Sequence, residues 1–272
     1  MNGYTINSEQ LAADAFNKQA PLFDELYASD SMIRYKRQRV REHLLQFLSP
    51  HSNILELNAG TGEDAIYLAD QGHHVHATDL STEMLSILRE KADSSVYKNR
   101  ISQEHCPYTA LTTLQNKGPF DHIFSNFAGL NCTDRLLQVL QSFSPLLKDR
   151  GVVTLVLLPE FCLWEFLMLF KGRFRTAFRR FVGKKGATAH IEGAYFRCWY
   201  YNPAYIIDAL GDDYELLQLE GMCTLVPPSY IKGFPEKYPR LFAALSGIES
   251  TLKTRWPWRS IGDYYIISLR KK

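Results

Sequence analysis

The amino-acid sequence predicts an α/β fold in which a doubly wound, mostly parallel sheet carries helices on both faces. Seven short apolar segments have the length of strands, and helical patterns separate several of them. A glycine-rich turn directly follows the first of these segments, as in nucleotide-binding α/β sheets. The predicted strands are 53–58, 74–78, 101–105, 120–124, 152–158, 214–219 and 263–269.

The helical patterns divide the chain into three parts. Residues 9–48 show helical spacing of apolar residues, interrupted at Pro21, with a basic helix from about Met32 to Leu48. Further helices are predicted at 64–71, 82–92, 134–147 and 203–210. We therefore expect an N-terminal helical segment (1–50), a core (51–159 and 202–272) and an inserted basic and aromatic cap (160–201, with a contribution from 222–262).

Composition and charge exclude several classes of protein. The 272 residues suffice for one large α/β domain, and the net charge of +2 gives no reason to expect a nucleic-acid partner. The five cysteines lack CxxC spacing, so we expect neither disulfides nor a metal site. The N-terminus has no signal peptide, and the apolar stretch 161–170 is about half of the roughly twenty residues that span a bilayer. We expect a cytoplasmic protein, whose oligomeric state the sequence does not indicate.

The turn after the first predicted strand has the features of a ligand-binding turn. Gly60 and Gly62 allow the backbone to bend sharply and to approach a ligand closely. Asp79 ends the second predicted strand, where a carboxylate can accept hydrogen bonds from both hydroxyls of a ribose. Gly60-x-Gly62-x-x-Ala65 also fits the dinucleotide fingerprint, so a Rossmann-type NAD(P) oxidoreductase is the first alternative.

Glu56 favours a different cofactor. An acid four residues before the first glycine is not required by a pyrophosphate and would repel it. A ligand of the methionine type instead carries a cationic amine and a sulfonium, which a carboxylate favours. No Tyr-x-x-x-Lys pair accompanies the fingerprint, which also argues against the oxidoreductase.

Two motifs resemble the class I S-adenosylmethionine-dependent methyltransferase family, of the type that acts on small molecules. Residues 56–62 match its E-x-x-x-G-x-G element, and residues 76–85 match its second-strand element, D-x-S-x-x-M-L. The resemblance covers about residues 30–220 and the final strand. It implies a Rossmann-like fold and S-adenosyl-L-methionine as cofactor.

The resemblance also implies roles for individual residues. The turn would line the methionine part, Asp79 would hold the ribose, and Leu80 and Met84 would flank the adenine. Cys106 occupies the position where the family often has an adenine-capping Asp. An N-terminal segment folds over the cofactor in related enzymes. The implied cofactor-binding residues are Tyr27, Arg34, Glu56, Asn58, Ala59, Gly60, Gly62, Asp79, Leu80, Met84, Cys106, Asn126 and Phe127.

The loop after the fourth predicted strand narrows the substrate class. In the family this loop borders the methyl group, and enzymes that methylate nucleic-acid bases or glutamine usually have N-P-P-Y there. This chain has Asn126-Phe127-Ala128-Gly129, which argues against those substrates. Asn126 would either bond the cofactor or form a structural turn. His122, inside the strand, is expected to be a core residue.

The segment 171–185 combines a phenylalanine stripe with seven Lys and Arg residues and no acid. Three interpretations remain open: a solvated helix that packs its stripe on the core, a substrate lid whose Arg175 and Arg179 bind an anion, and a helix on a membrane surface. The membrane contact is not favoured, because an insertion after the fifth strand lies near the carboxyl edge of the sheet.

Candidate catalytic and substrate residues follow this segment. His190 and Glu192 are candidate acid/base residues, with Tyr195 as another. Trp199 and Tyr201 are candidates for an aromatic substrate wall. The sequence thus predicts in-line methyl transfer to a small, anionic or aromatic molecule. The alternatives are the oxidoreductase and a non-catalytic methyltransferase-like binding module.

Overall fold

The computed structural model describes residues 8–181, 183–191 and 193–272. Nine strands occur in these residues: β1 (Asn53–Leu57), β2 (His74–Asp79), β3 (Ile101–His105), β4 (Phe120–Ser125), β5 (Leu147–Leu157), β6 (Ala187–Ile191), β7 (Ala194–Cys198), β8 (Tyr214–Met222) and β9 (Tyr264–Lys271). The α-helices of the same residues are α1 (Ser8–Ala28), α2 (Ser31–Leu44), α3 (Glu63–Asp70), α4 (Thr82–Ser94), α5 (Leu136–Gln141), α6 (Leu163–Leu167), α7 (Phe174–Phe178), α8 (Pro203–Leu210), α9 (Phe234–Lys237) and α10 (Pro239–Leu252).

Seven of the described strands form one sheet, which confirms the predicted fold class. Their order is β3-β2-β1-β4-β5-β9-β8. Strands β1 to β5 are parallel, whereas β9 runs antiparallel to both neighbours. The chain reverses its direction of winding between β1 and β4. In such a sheet the crevice outside the carboxyl ends of these two strands is where ligands bind.

Two apolar clusters pack on the opposite faces of this sheet. One contains buried residues of α5 and α8, and the other contains buried residues of α2, α3 and α4. The three layers explain why the parallel strands are apolar on both sides. Among the described residues, no helix is both long and apolar enough to cross a bilayer.

Three details differ from the sequence prediction. Helix α1 continues through Pro21, because side-chain contacts on both sides of the proline hold it, Asn17 to Ser81 and Asp24 to Thr61. The helix predicted at 134–147 is short: α5 ends at Gln141, and a 3-10 turn that contains Pro145 (Ser144–Leu146) leads directly into β5. The cap region contains α6, α7 and a β6–β7 hairpin, and ring contact between Phe16 and Phe196 packs this hairpin against α1.

Candidate active site

A cavity of about 380 Å³ lies at the carboxyl edge of the sheet, where the first four strands end. Its wall includes most of the side chains that the resemblance implies for the cofactor. These residues are Tyr27, Glu56, Asn58, Ala59, Gly60, Asp79, Leu80, Met84, Cys106, Asn126 and Phe127. Helices α1 and α2 close the cavity from above.

Gly60 and Asp79 form the hydrogen-bonded base of the turn. The Gly60 N–H donates to Asp79 Oδ2 over 2.9 Å, and the Ser81 N–H donates to Oδ1 over 2.8 Å. Burial raises the pKa of Asp79, and these backbone bonds act in the opposite direction. Gly60 has φ +57°, and a Cβ there would meet no atom within 4 Å. The space in front of Gly60 is therefore open to a ligand.

Gly62 differs from Gly60 in the atoms that surround it, and its contact with the cofactor stays a prediction. It is not part of the cavity wall. It has φ +80°, and a Cβ there would lie 1.8 Å from Leu88 Cδ1. The glycine is required because α4 packs tightly on the turn.

Glu56 is the buried carboxyl at the floor of the cavity. It is 3% exposed, and its Oε2 has no hydrogen-bond partner in the described structure. Burial raises its pKa well above the usual value, and Asp64 raises it further, although Arg37 and Arg41 lower it. A buried acceptor without a donor is costly, and a ligand that offers a cation or N–H there would satisfy it.

Asp64, which the sequence reading did not single out, organises this end of the cavity. Its carboxylate accepts from Arg37 at 2.9 Å, from Arg41 at 2.9 Å and from the Asn126 amide at 2.8 Å. Both arginines belong to α2, four residues apart, so they share one face of the helix. Two arginines four residues apart in a basic helix are the sequence pattern that could have indicated an acidic partner.

The loop after β4 is tied to the loop after β1. The Asn58 amide donates to the Asn126 carbonyl over 2.9 Å, and Ser125 Oγ donates to Asn58 Oδ1 over 2.6 Å. Asn58, Phe127 and Ala128 all have positive φ. Backbone strain of this kind is concentrated at functional sites.

Helix α1 is anchored to the cavity rim by polar contacts. Thr61 Oγ1 donates to Asp24 at 2.6 Å, and Ser81 Oγ donates to Asn17 at 2.6 Å. Tyr27 lies in the wall, whereas Arg34 does not, because its exposed side chain turns outward to the Ala28 carbonyl. The structure does not bring Arg34 to the cavity, and its contact with the cofactor stays a prediction. Residues 1–7 of the predicted N-terminal segment lie outside the described residues.

Lys36 forms a cationic corner of the wall that the sequence reading missed. It is 1% exposed, and its Nζ donates to Ser229 Oγ over 3.1 Å. The ammonium also lies 4.9 Å from the Tyr264 ring centroid and 5.7 Å from that of Phe127. Burial acts to lower its pKa, but surrounding groups, Tyr264 foremost, hold the value above the usual one. No carboxylate of the described residues pairs with it.

The candidate catalytic residues do not reach the cavity. Strand β6 alternates, with Ala189 and Ile191 facing inward and His190 facing solvent. Tyr195 is exposed on the same outer face and contacts the His190 ring at 4.5 Å. Neither side chain belongs to the cavity wall, so the catalytic roles of these two residues stay predictions, and Glu192 lies outside the described residues.

The candidate substrate residues also lie outside the cavity wall. Arg175 is exposed, and Arg179 donates to Glu165 at 2.7 and 2.6 Å. Trp199 is buried beneath Gly186, and Tyr201 donates to the Thr133 carbonyl within the core. The structure does not bring these four residues to the cavity, and their contact with a substrate stays a prediction.

One buried group within the described residues has the composition of a metal site. It consists of Cys162, Glu165 and Asp263. The Arg180 guanidinium lies between the two acids, 2.5 Å from Glu165 and 2.6 Å from Asp263. This arginine neutralises both acids, and its removal would leave buried Asp263 without its ion-pair partner.

The sequence comparisons with known proteins find methyltransferases. A family model described as a methyltransferase domain matches residues 54–151. The chain is 30% identical over 161 residues to a demethylmenaquinone methyltransferase of Leptospira interrogans, covering 56% of this chain and 64% of that relative. The match thus spans less than two thirds of the relative's length.

Solved structures share the fold at low sequence identity. The cyclase SpnF has a TM-score of 0.62 at 12% identity, with 97% of each chain covered. A 1,6-didemethyltoxoflavin-N1-methyltransferase of Burkholderia thailandensis, solved with that compound and S-adenosylhomocysteine, has a TM-score of 0.54 at 15% identity, with 97% of this chain and 88% of that chain covered. At these identities the likeness concerns the fold. Residues 54–151, which carry both sequence motifs, match the methyltransferase domain.

Proposed function

We propose that the chain is an S-adenosylmethionine-dependent methyltransferase that acts on a small molecule with an anionic oxygen. The observation that carries the cofactor assignment is the unpaired, buried Oε2 of Glu56 in front of the glycine turn. The cationic amine of the methionine part would satisfy it. Asp79, at the end of the next strand, would hold the ribose hydroxyls.

The cavity wall offers groups for both the methionine end and the adenosine end of the cofactor. The adenosine would lie between Leu80, Met84 and Tyr108 in the wall under α4 and β3. The Burkholderia methyltransferase, which has a similar fold, was solved with S-adenosylhomocysteine, and this supports the proposed cofactor. A pyrophosphate at Glu56 would meet an acid instead of a cation, which disfavours NAD(P).

The cofactor supplies an activated methyl group on a sulfonium, so the protein's task is orientation and exclusion of water. The loop at Phe127, where the backbone has positive φ, and helix α1 enclose the space beside the glycine turn. No histidine belongs to the described wall. An acceptor that enters as an anion needs no general base, and Lys36 would hold its oxygen.

Calorimetric titration with S-adenosylhomocysteine and with NADP⁺ tests the cofactor. We expect binding of the former and none of the latter. Binding of NADP⁺ alone would overturn the proposal.

Lys36 is tested separately with probe anions. The protein saturated with S-adenosylhomocysteine should bind benzoate more tightly than benzamide, because the ammonium stabilises a carboxylate in a site shielded from water. Lys36→Met should abolish this preference, and Lys36→Arg should retain part of it. If the preference persists in Lys36→Met, the acceptor does not bind at this corner, although the cofactor assignment would still stand.

A further inference from the structure

The phenylalanine stripe of the cap faces solvent. Phe170 is 85% exposed and Phe174 is 63% exposed. Phe178 and Phe181, also at least half exposed, contact each other with ring centroids 6.1 Å apart, and Phe181 contacts Phe161 at 6.4 Å. These four exposed rings, here called the phenylalanine surface, form an apolar patch together with Phe161, which contacts Phe181. Such patches on a protein surface mark interaction sites.

The base of this surface is rigid. Arg180, 2% exposed, bonds to Glu165 and Asp263, and Ala177 and Met168 are buried beneath the segment. The inward face is therefore already occupied by a buried ion pair and small apolar contacts. The phenylalanines cannot turn into the core without displacing that network.

The charged residues of the segment 166–185 are all basic. Lys171, Arg173 and Arg175 are exposed and make no ion pair with any residue in the described part of the chain. The sequence from 166 to 185 contains no acid. A second copy of the chain would bring these cations against one another, which is unfavourable.

We propose that the phenylalanine surface docks the protein peripherally onto a lipid bilayer with anionic headgroups. Aromatic rings inserted at the level of the headgroups, with lysines and arginines beside them, are the arrangement by which interfacial segments bind anionic membranes. The proposal goes beyond the methyltransferase function and does not depend on it, because the surface lies outside the cavity wall.

Co-sedimentation of the whole chain with vesicles tests the proposal. We expect binding to phosphatidylcholine mixed with phosphatidylglycerol and much weaker binding to phosphatidylcholine alone. Raising the salt from about 0.1 M to about 1 M shortens the Debye length from about 10 Å to about 3 Å and should release the protein partly.

Two variants and two controls locate the contact. Phe170→Ser/Phe174→Ser should lower the partition coefficient about tenfold or more, and Arg173→Glu/Arg175→Glu should abolish the preference for phosphatidylglycerol. The exposed Val96→Ser and Lys117→Glu are matched controls that should bind as the wild type does. Unchanged melting temperature and affinity for S-adenosylhomocysteine verify that each variant is folded.

Three outcomes would overturn the proposal. The wild type does not bind the anionic vesicles, or both surface variants bind them as tightly as the controls do. Alternatively, light scattering shows a dimer that Phe170→Ser/Phe174→Ser converts to a monomer, which would assign the surface to a second copy of the chain.

Discussion

Glu56 is the residue that favours S-adenosylmethionine over NAD(P), and a change in its protonation on cofactor binding can be measured. Its pKa is raised in the ligand-free protein, first by burial and then by Asp64. A cationic amine favours the ionised carboxylate, so cofactor binding should release a proton. The affinity should then rise with pH until the pH exceeds the raised pKa.

We predict that Glu56→Gln weakens S-adenosylhomocysteine binding about tenfold or more and removes most of the proton release. Calorimetry in two buffers with different ionisation enthalpies measures both quantities. The exposed Glu83→Gln is the control. Equal proton release by Glu56→Gln and the wild type would refute the pairing.

The sequence identified some residues of the site and missed others for a geometric reason. Glu56 and Asp79 belong to parallel strands, and the carboxyl ends of such strands converge, so their proximity follows from the fold. Lys36 faces the cavity only because of the way α2 packs on the sheet, which no spacing encodes. His190 was misplaced because the alternation in 187–191, which turns it outward, was not recognised as a strand.

The strand–turn–helix unit at 53–70 shows why two glycines of one motif have different roles. Gly60 faces open space in the cavity, and Gly62 lies against Leu88 of α4. One substitution should therefore affect the ligand and the other should affect the fold.

We predict that Gly62→Ala lowers the free energy of unfolding by about 2 to 4 kcal/mol, through positive φ and overlap with Leu88. Gly60→Ala should lower the free energy of unfolding by about 1 kcal/mol. It should weaken S-adenosylhomocysteine binding more than Gly62→Ala does, because its methyl group enters the cavity. Urea unfolding and calorimetry of the matched pair measure the two effects. Equal loss of stability in both variants would contradict this division of roles.

Elements of the cap were predicted less well than those of the core. The stripe at 170–181 has helical spacing, and packing on the core was one of three interpretations that the sequence left open. In the structure only Phe174–Phe178 is an α-helix, because buried Arg180 and Ala177 take the inward positions. A buried arginine depends on acids distant in sequence, so local periodicity cannot reveal it.

At the scale of the molecule, Glu220 of β8 ties α2 to the C-terminal part of the chain. It is fully buried, with Arg39 at 3.2 Å, His43 at 3.1 Å and Lys253 at 2.8 Å. Burial alone would raise its pKa, but bonds from His43 and Lys253 lower it to about 2. A carboxyl group whose pKa is lower in the folded than in the unfolded protein stabilises the fold at any pH above the unfolded pKa. This stabilisation is lost as the pH falls through the folded pKa.

We predict that Glu220 contributes roughly 3 kcal/mol that is lost between about pH 4.5 and pH 2. Urea unfolding across this range should show a smaller loss in Glu220→Gln than in the wild type. That variant should also be less stable near neutral pH, because it leaves Arg39 and Lys253 without their carboxylate. The partly exposed Glu215→Gln of the same strand is the control. A wild-type pH dependence in Glu220→Gln would exclude Glu220 as its source.

A crystal structure of the chain with S-adenosylhomocysteine tests the central claim most directly. We predict that the amino group of the ligand lies within hydrogen-bond distance of Glu56 Oε2 and that the ribose hydroxyls bind Asp79. A ligand bound elsewhere, or one whose amino group lies away from Glu56, would contradict it.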